Sequence, residues 1–420
     1  MVSKTPDISA LLVEIETPSG ELVEVGFLYN STAGQKNWFE FSDRYWNLAN
    51  RPVLGQIFEE RGRSWQPTAH VALPHWFSHL LPEGRLRSEV AAAAHTNSAR
   101  EFNLLARIGV DDLPGALRVG AAPELENIKQ PPELIDAEKD GGNPLLKFSL
   151  AGAQLKFSIY KRGSRLTVPL KGQAGNVIAK LPDNRPGHVG VPEVELASLN
   201  LARLSGIETP NASLVSLSDI AGLEDWASKV SAPALIVDRF DRAGQRRIHM
   251  EELAQVMNIP TKVERAKYDR ANFETITNII AGLCGLDSVK HVITRIVFNV
   301  LIGNGDAHLK NWAVLYKDGF TPTLSPVYDI LPTVLYMEDD DLGPNLGGSR
   351  SFETVSVESF DRIGERTSVG VAAARSYAKD AVEQILSNWQ SLSDMMPRSS
   401  FNFLNERLNR LLIVRSVPSV

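Results

Sequence analysis

The chain has 420 residues, 43% hydrophobic and 22% charged, an ordinary globular balance with room for several domains of about 100–200 residues. Its formal net charge of −6 gives no overall electrostatic pull towards nucleic acid, and 30 glycines with 24 prolines exclude collagen-like or low-complexity organisation. A single cysteine, Cys284, excludes an internal disulfide framework and a cysteine zinc cluster, and no run reaches the roughly 18 apolar residues of a membrane span. Met1 to Ala10 carry Lys4 and Asp7 without a long apolar core, so no cleaved signal peptide is expected and the chain reads as cytoplasmic. Cys284 lies in an apolar helical stretch and reads as a small core residue.

The predicted elements begin with a hairpin over residues 10–30. Leu11, Val13 and Ile15 alternate, Pro18-Ser19-Gly20 supplies a turn, and Leu22 to Leu28 return. Trp38, Phe39 and Phe41 suggest another strand. Ser98 to Ile108 reads as a helix, with Ser98 as N-cap and Gly109 as its stop. Residues 1–122 thus form a strand-rich unit, and the proline- and glycine-rich stretch 123–145 reads as a linker or exposed loop. From residue 146 to 240 strands dominate: Phe157 to Tyr160, Val177 to Leu181 and Ala234 to Val237. A helix from Val191 to Ser205 interrupts them, with Val194, Ala197, Leu201 and Leu204 on one face. After Asp241 the pattern turns helical almost to the end. Its clearest helix is Ser288 to Leu301, where Val289, Val292, Ile293, Ile296, Val297, Val300 and Leu301 mark a buried face.

Directly after that helix comes Gly303-Asn-Gly-Asp306-Ala-His308-Leu-Lys310-Asn311. The glycines and Asn304 end the helix and permit unusual backbone angles. Asp306 and Asn311 have the D-x-x-x-x-N spacing of a protein-kinase catalytic loop, where the aspartate accepts the substrate hydroxyl proton and the asparagine holds Mg²⁺. Asp329, in Val327-Tyr328-Asp329-Ile330, suits a second metal ligand delivered by a strand end. The bare spacing is also common by chance: Asp306 in a local turn, Asn311 as a cap and His308 as a structural histidine are the bland alternatives. Phe148 to Ser158 places small residues between two extended runs, which lets backbone N–H groups approach a phosphate, though a plain hairpin turn fits as well. Lys180 ends a strand-like run with Glu193 and Glu195 on the next helix, the arrangement of the lysine–glutamate pair that positions ATP phosphates, or else of a lysine whose stem lies along the surface.

Together these residues resemble the HipA family of bacterial serine/threonine protein kinases, the toxins of HipBA-type toxin–antitoxin pairs. The matching signatures are Ser149-Leu-Ala-Gly-Ala-Gln-Leu-Lys156, Ile178-Ala-Lys180, Val237-Asp-Arg-Phe-Asp-Arg242, His249-Met-Glu-Glu-Leu-Ala-Gln255, Gly303 to Asn311 and Ser325-Pro-Val-Tyr-Asp329. Leu80-Leu-Pro-Glu-Gly84 and Pro114-Gly-Ala-Leu117 match the family's N-terminal module, so the resemblance covers roughly residues 10–390.

The resemblance implies an α+β, two-lobed protein-kinase-like fold of the HipA and PI3/4-kinase kind. It would comprise an N-terminal β-rich subdomain (1–122), a kinase N-lobe (146–240) and a helical C-lobe (241–420). Asp306 matches the catalytic base, and Asn311 and Asp329 the Mg²⁺ ligands. Ala151, Gly152, Ala153, Gln154, Leu155 and Lys156 match the nucleotide-covering loop, and Lys180 the phosphate-contacting lysine. Asp238, Arg239 and Phe240 match the inter-lobe segment that receives adenine. His308, Leu309, Lys310, Asn311, Tyr328 and Asp329 line the ATP site. Ser149 matches a serine that such kinases autophosphorylate with loss of activity. Glu195 is preferred as the partner of Lys180, with Glu193 left open, and the acidic run Glu338 to Asp341 has no matching role. The implied function is a type II toxin that uses ATP and Mg²⁺ to phosphorylate a protein hydroxyl, of an aminoacyl-tRNA synthetase such as glutamate–tRNA ligase, and so arrests growth. A HipB-like DNA-binding antitoxin would be its partner and operon co-repressor, with DNA met mainly through that complex. The rival readings are a small-molecule or lipid kinase and a catalytically silent repressor partner.

Overall fold

A computed structural model describes residues 8–31, 35–93, 95–110, 112–122, 155–169, 174–183, 187–223, 230–263 and 265–417. The expected loop residues Ala151 to Gln154, the phosphorylatable Ser149 and the linker 123–145 lie outside the described residues.

The N-terminal unit is built on a five-stranded sheet in the order β4-β3-β2-β1-β5. Its strands are β1 Ile8–Glu16, β2 Leu22–Ser31, β3 Lys36–Phe41, β4 Thr68–His70 and β5 Leu117–Ala121. Strand alternation puts Leu11, Val13 and Ile15 on the inner face with no exposed area, against an aromatic group of Phe39, Phe58, Trp76 and Phe77. The predicted helix here starts later than expected, at Glu101 rather than after Ser98. The Asn97 side chain accepts from Ala99 N in a turn before the helix, and the buried Glu101 carboxylate accepts from Leu73 N and Arg87. The local Asn97 turn and the Glu101 contacts, not a serine cap, mark the boundary.

The second unit is a six-stranded sheet in the order β10-β7-β6-β8-β11-β9. It comprises β6 Lys156–Arg162, β7 Arg165–Thr167, β8 Val177–Lys180, β9 Ala212–Val215, β10 Ile220–Ala221 and β11 Ala234–Asp238. The helix Val191–Leu204 lies within this stretch of sequence, yet Val194, Ala197, Leu201 and Ala202 join the core of the helical unit. Leu204 is 52% exposed, contrary to the apolar-face reading, because the inward positions of the last turn are taken by Leu201, Ala202 and Ser205.

Beyond Asp241 the chain is less purely helical than its apolar pattern implies. A small hairpin, β12 Arg242–Ala243 with β13 Arg246–Arg247, precedes a three-stranded sheet of β14 His249–Glu252, β15 Ala313–Tyr316 and β16 Thr323–Leu324. In β14 the buried alternate positions are His249 and Glu251, so a period-two pattern exists but is written in polar residues. The helix Ser288–Ile302 is the axis of the helical unit, and the apolar positions Val289 to Leu301 named above are all fully buried. The helices Phe273–Cys284 and Val371–Asn388 pack against it, with Cys284 half-buried at the end of the first. Among the described residues no helix is long and apolar enough to cross a membrane.

Candidate active site

One cluster rests on the six-stranded sheet. Lys180 closes β8, whose Val177 and Ala179 are buried in the sheet core, and the Val191–Leu204 helix brings Glu195 to it. Lys180 is only 6% exposed, and its Nζ donates to Glu195 Oε1 and to Asp329 Oδ1. Glu195, rather than Glu193, thus takes the lysine. Lys156 lies opposite Lys180 in the β6–β8 register and donates to Asp329 Oδ2 at 2.7 Å. Burial works against the Lys180 ammonium, but Asp329 and Glu195 outweigh it and hold its pKa above the usual lysine range. Burial likewise works against the Asp329 carboxylate, but Lys156 and Lys180 hold it well below the usual carboxylate range. Asp329 does not sit on a strand end as expected. It lies in a loop past β16 with φ +53, a left-handed conformation that aspartate tolerates better than most residues.

The second cluster follows the buried helix. Gly303 ends it with φ +74, and the N–H groups of Gly303 and Asn304 both reach the Asn299 carbonyl. The Asn304 side chain accepts from Asp306 N at 3.1 Å, and Gly305 N donates to Thr333 Oγ1 at 2.7 Å. Thr333 in turn donates to Asp340, so the acidic run has one structural member that pins this loop. Asn311 Nδ2 donates to the Asp306 carbonyl at 2.6 Å, which brings the two ends of the D-x-x-x-x-N spacing together. The Asp306 carboxylate stays half-exposed, accepts from the Tyr268 hydroxyl at 2.5 Å and lies 3.7 Å from His308 Nε2. Burial pushes His308 below the usual histidine range. Tyr328, next to Asp329, donates to the carbonyl of Lys310, next to Asn311, at 2.7 Å. That bond ties the two clusters at the residues adjoining Asp329 and Asn311.

Other expected ATP-site residues turn their side chains elsewhere. Leu309 is fully buried in the helical core, and Leu155 is buried in the sheet core. Lys310 pairs with Glu83 at 2.9 Å and Glu252 at 3.5 Å. Arg239 is bound at 2.8 Å to Asp112 and at 2.7 Å to Asp241, in a buried network that also holds Arg242. The side-chain ends of these residues are thus engaged within the protein. Asp238 is partly exposed, accepts from Asn211 and lies 3.5 Å from Lys161, while the Phe240 ring stands 5.3 Å from that of Tyr328.

Among the described residues no three His, Cys, Asp or Glu side chains converge as a metal cage. The donor set instead suits a hard cation that takes part of its shell from a bound phosphate. Asp329 supplies an ionised carboxylate, and Asn311, its amide nitrogen engaged with Asp306, has its amide oxygen to offer. Tyr268 and Glu83 are site residues that motif reading left without a role. Tyr268 carries no local signature, and Glu83 sits in a matched motif far away in sequence.

The HipA-like C-terminal domain family matches residues 148–389, and the HipA N-terminal domain family matches residues 21–120. A Sinorhizobium fredii protein named "Putative kinase Y4dM" is 34% identical over 370 residues, covering 86% of this chain and 88% of its own length. The serine/threonine-protein kinase toxin HipA of Shewanella oneidensis is 24% identical over 312 residues, covering 64% and 66% of the two chains. The structure of the Shewanella oneidensis MR-1 toxin–antitoxin complex of HipA, HipB and operator DNA superimposes with a TM-score of 0.73 at 17% identity, covering 98% of this chain and 99% of that one. The fold is therefore the two-lobed, protein-kinase-like α+β architecture with an N-terminal β-rich unit. With both domain families matched in order along one chain, and a relative 34% identical over most of its length, the protein belongs to the HipA family of kinase toxins.

Proposed function

We propose that the protein is a Mg²⁺-dependent serine/threonine protein kinase that acts as the toxin of a type II toxin–antitoxin pair. The observation that carries this reading is the pair of linked clusters: Lys180, Glu195 and Asp329 on one side, Asp306 and Asn311 on the other, joined through Tyr328 and Lys310. Lys180 and Lys156 offer fixed positive charge to phosphate oxygens. Asp329 and Asn311 would hold Mg²⁺, which neutralises charge on the transferring phosphoryl group. Asp306 accepts the proton of the attacking hydroxyl as the new O–P bond forms and the bond to the departing ADP oxygen breaks. The chain's work is positioning and charge stabilisation, with lysines and carboxylates pre-set by their mutual pairing.

The finer elements of the proposal follow from the family. The acceptor is an aminoacyl-tRNA synthetase, such as glutamate–tRNA ligase, and its modification arrests growth. A HipB-like antitoxin binds the chain and with it represses the operon. Phosphorylation of Ser149, which adds about −1.5 to −2 charges, switches the kinase off, as the family resemblance implies. Incubation with γ-labelled ATP and a bacterial lysate tests the reading. Label appears on protein with the wild type and is lost with Asp306→Ala. Label on lipid or small molecules alone, or none at all, refutes it. Mass spectrometry then identifies the acceptor and reports Ser149.

A further inference from the structure

We propose that Tyr268 is a positioning residue for Asp306, and that the N-terminal unit holds it there through Glu83. The inference rests on reading Asp306 as the acceptor of the substrate proton. Tyr268 lies on the short helix Ala266–Asp269, and its hydroxyl donates to Asp306 Oδ1 at 2.5 Å. Asp306 is half-exposed, and among the described residues no lysine or arginine pairs with its carboxylate. A short, half-exposed aspartate would otherwise be free to rotate. With Oδ1 anchored, Oδ2 is left to face an incoming hydroxyl.

The tyrosine ring is itself fixed. The His308 ring meets it edge-on at 5.0 Å. On another side Gly343 packs so closely that a Cβ there would lie 3.2 Å from Tyr268 Cδ1 and 2.6 Å from the Gly305 carbonyl. The short helix is tethered by a residue from the N-terminal unit. Glu83 Oε2 takes Lys267 at 2.9 Å, and Glu83 Oε1 takes Lys310 at 2.9 Å. One carboxylate thereby joins the turn that carries Tyr268 to the loop that carries Asp306. Burial works against the Glu83 carboxylate, but Lys310 and Lys267 outweigh it, so the bridge stays ionised. Catalysis by a general base depends on orientation, and a displacement of about 1 Å can cost about a hundredfold in rate.

The test uses the full chain as Tyr268→Phe, Asp306→Asn and the double variant, with Glu83→Gln as a further arm. Initial rates of label transfer from Mg-ATP to casein and to the chain itself give kcat and KM. Thermal unfolding reports folding. Tyr268→Phe keeps the ring and is expected to lower kcat about 10- to 100-fold, leaving KM for ATP within about twofold. In the Asp306→Asn background the same change is expected to cost less than about twofold, because residues that act as a unit are not additive. Glu83→Gln is expected to lower kcat about 3- to 10-fold, with little further effect when combined with Tyr268→Phe. Full kcat in folded Tyr268→Phe, or an equal loss in both backgrounds, overturns the inference. A wild type without transfer, or an Asp306→Asn variant as active as wild type, overturns instead the reading of Asp306 on which it rests.

Discussion

Lys180 holds two carboxylates in a place that water scarcely reaches, and it stays charged because both are there. Removing one member of such a group leaves an uncompensated buried charge, which typically costs about 3–5 kcal/mol, whereas replacing the whole pair with apolar groups is often neutral. Lys180→Met is therefore expected to destabilise the fold by about 3–5 kcal/mol, as Glu195 loses its partner inside the core. Lys180→Met combined with Glu195→Leu is expected to recover most of that loss, since Asp329 keeps its 2.7 Å contact with Lys156. Neither variant is expected to bind Mg-ATP normally. Urea unfolding and calorimetry separate the two effects: stability follows the pair, and nucleotide affinity follows the lysine.

The helix Ser288–Ile302 delivers the loop that carries Asp306, and its ending is as specific as its buried face. Gly303 needs the left-handed region, and a Cβ there would lie 2.5 Å from Val334 Cγ2. The conformational cost of about 1–2 kcal/mol adds to an overpacking cost of about 1–3 kcal/mol, so Gly303→Ala is expected to lose about 2–5 kcal/mol. It is also expected to lower kcat, because the loop that carries Asp306 begins there. Val334→Ala in the same background relieves the clash but not the backbone strain, and a partial recovery of Tm checks that division. Strand β14 shows another kind of element, with an inward face made of polar groups. His249 donates to the Leu54 carbonyl, and Glu251 accepts from Trp76, Gln56 N and the Tyr316 hydroxyl. The matched motif His249 to Gln255 is thus in large part a seam onto the N-terminal unit.

That seam makes the molecule pH-sensitive as a whole. His79 donates to the Ile259 carbonyl at 2.9 Å and His249 to that of Leu54 at 2.8 Å, one bond in each direction between the N-terminal and helical units. Burial first, then the Lys310 ammonium, lowers His79 to about 4; burial lowers His249 to about 4. Both are neutral when folded, while the unfolded chain takes up protons from about pH 6.5 downwards. Their stabilisation is complete above that pH and is lost as pH falls towards 4, by on the order of 3 kcal/mol each. Glu251 runs the opposite way. Burial pushes it up to about 7, so the folded state keeps a proton that the unfolded chain releases above about 4.5, and stability falls as pH rises through that window. Glu251→Gln removes the opposing contribution and is expected to steepen the loss of stability between pH 6.5 and 4. Hydrogen exchange at the seam and unfolding curves across this range check the sign.

Much of this protein is determined by local sequence. The apolar period of Val289 to Leu301 marks a buried helix wherever it packs, and Asp306 and Asn311 sit close enough in the chain for their spacing to carry meaning. The order of the short motifs likewise points to the family without any three-dimensional information. What tertiary structure alone decided are the meetings of side-chain ends across long stretches of chain. Glu83 reaches Lys267 across 184 residues and Trp76 reaches Glu251 across 175, and no periodicity records such pairings. The choice of Glu195 for Lys180, the hydroxyl of Tyr268 on Asp306 and the turning of Arg239 into an ion network depend on the same kind of contact. Apolar burial repeats with the backbone and so is legible along the chain. A hydrogen bond or ion pair is made at a point, and only the fold brings its two halves together.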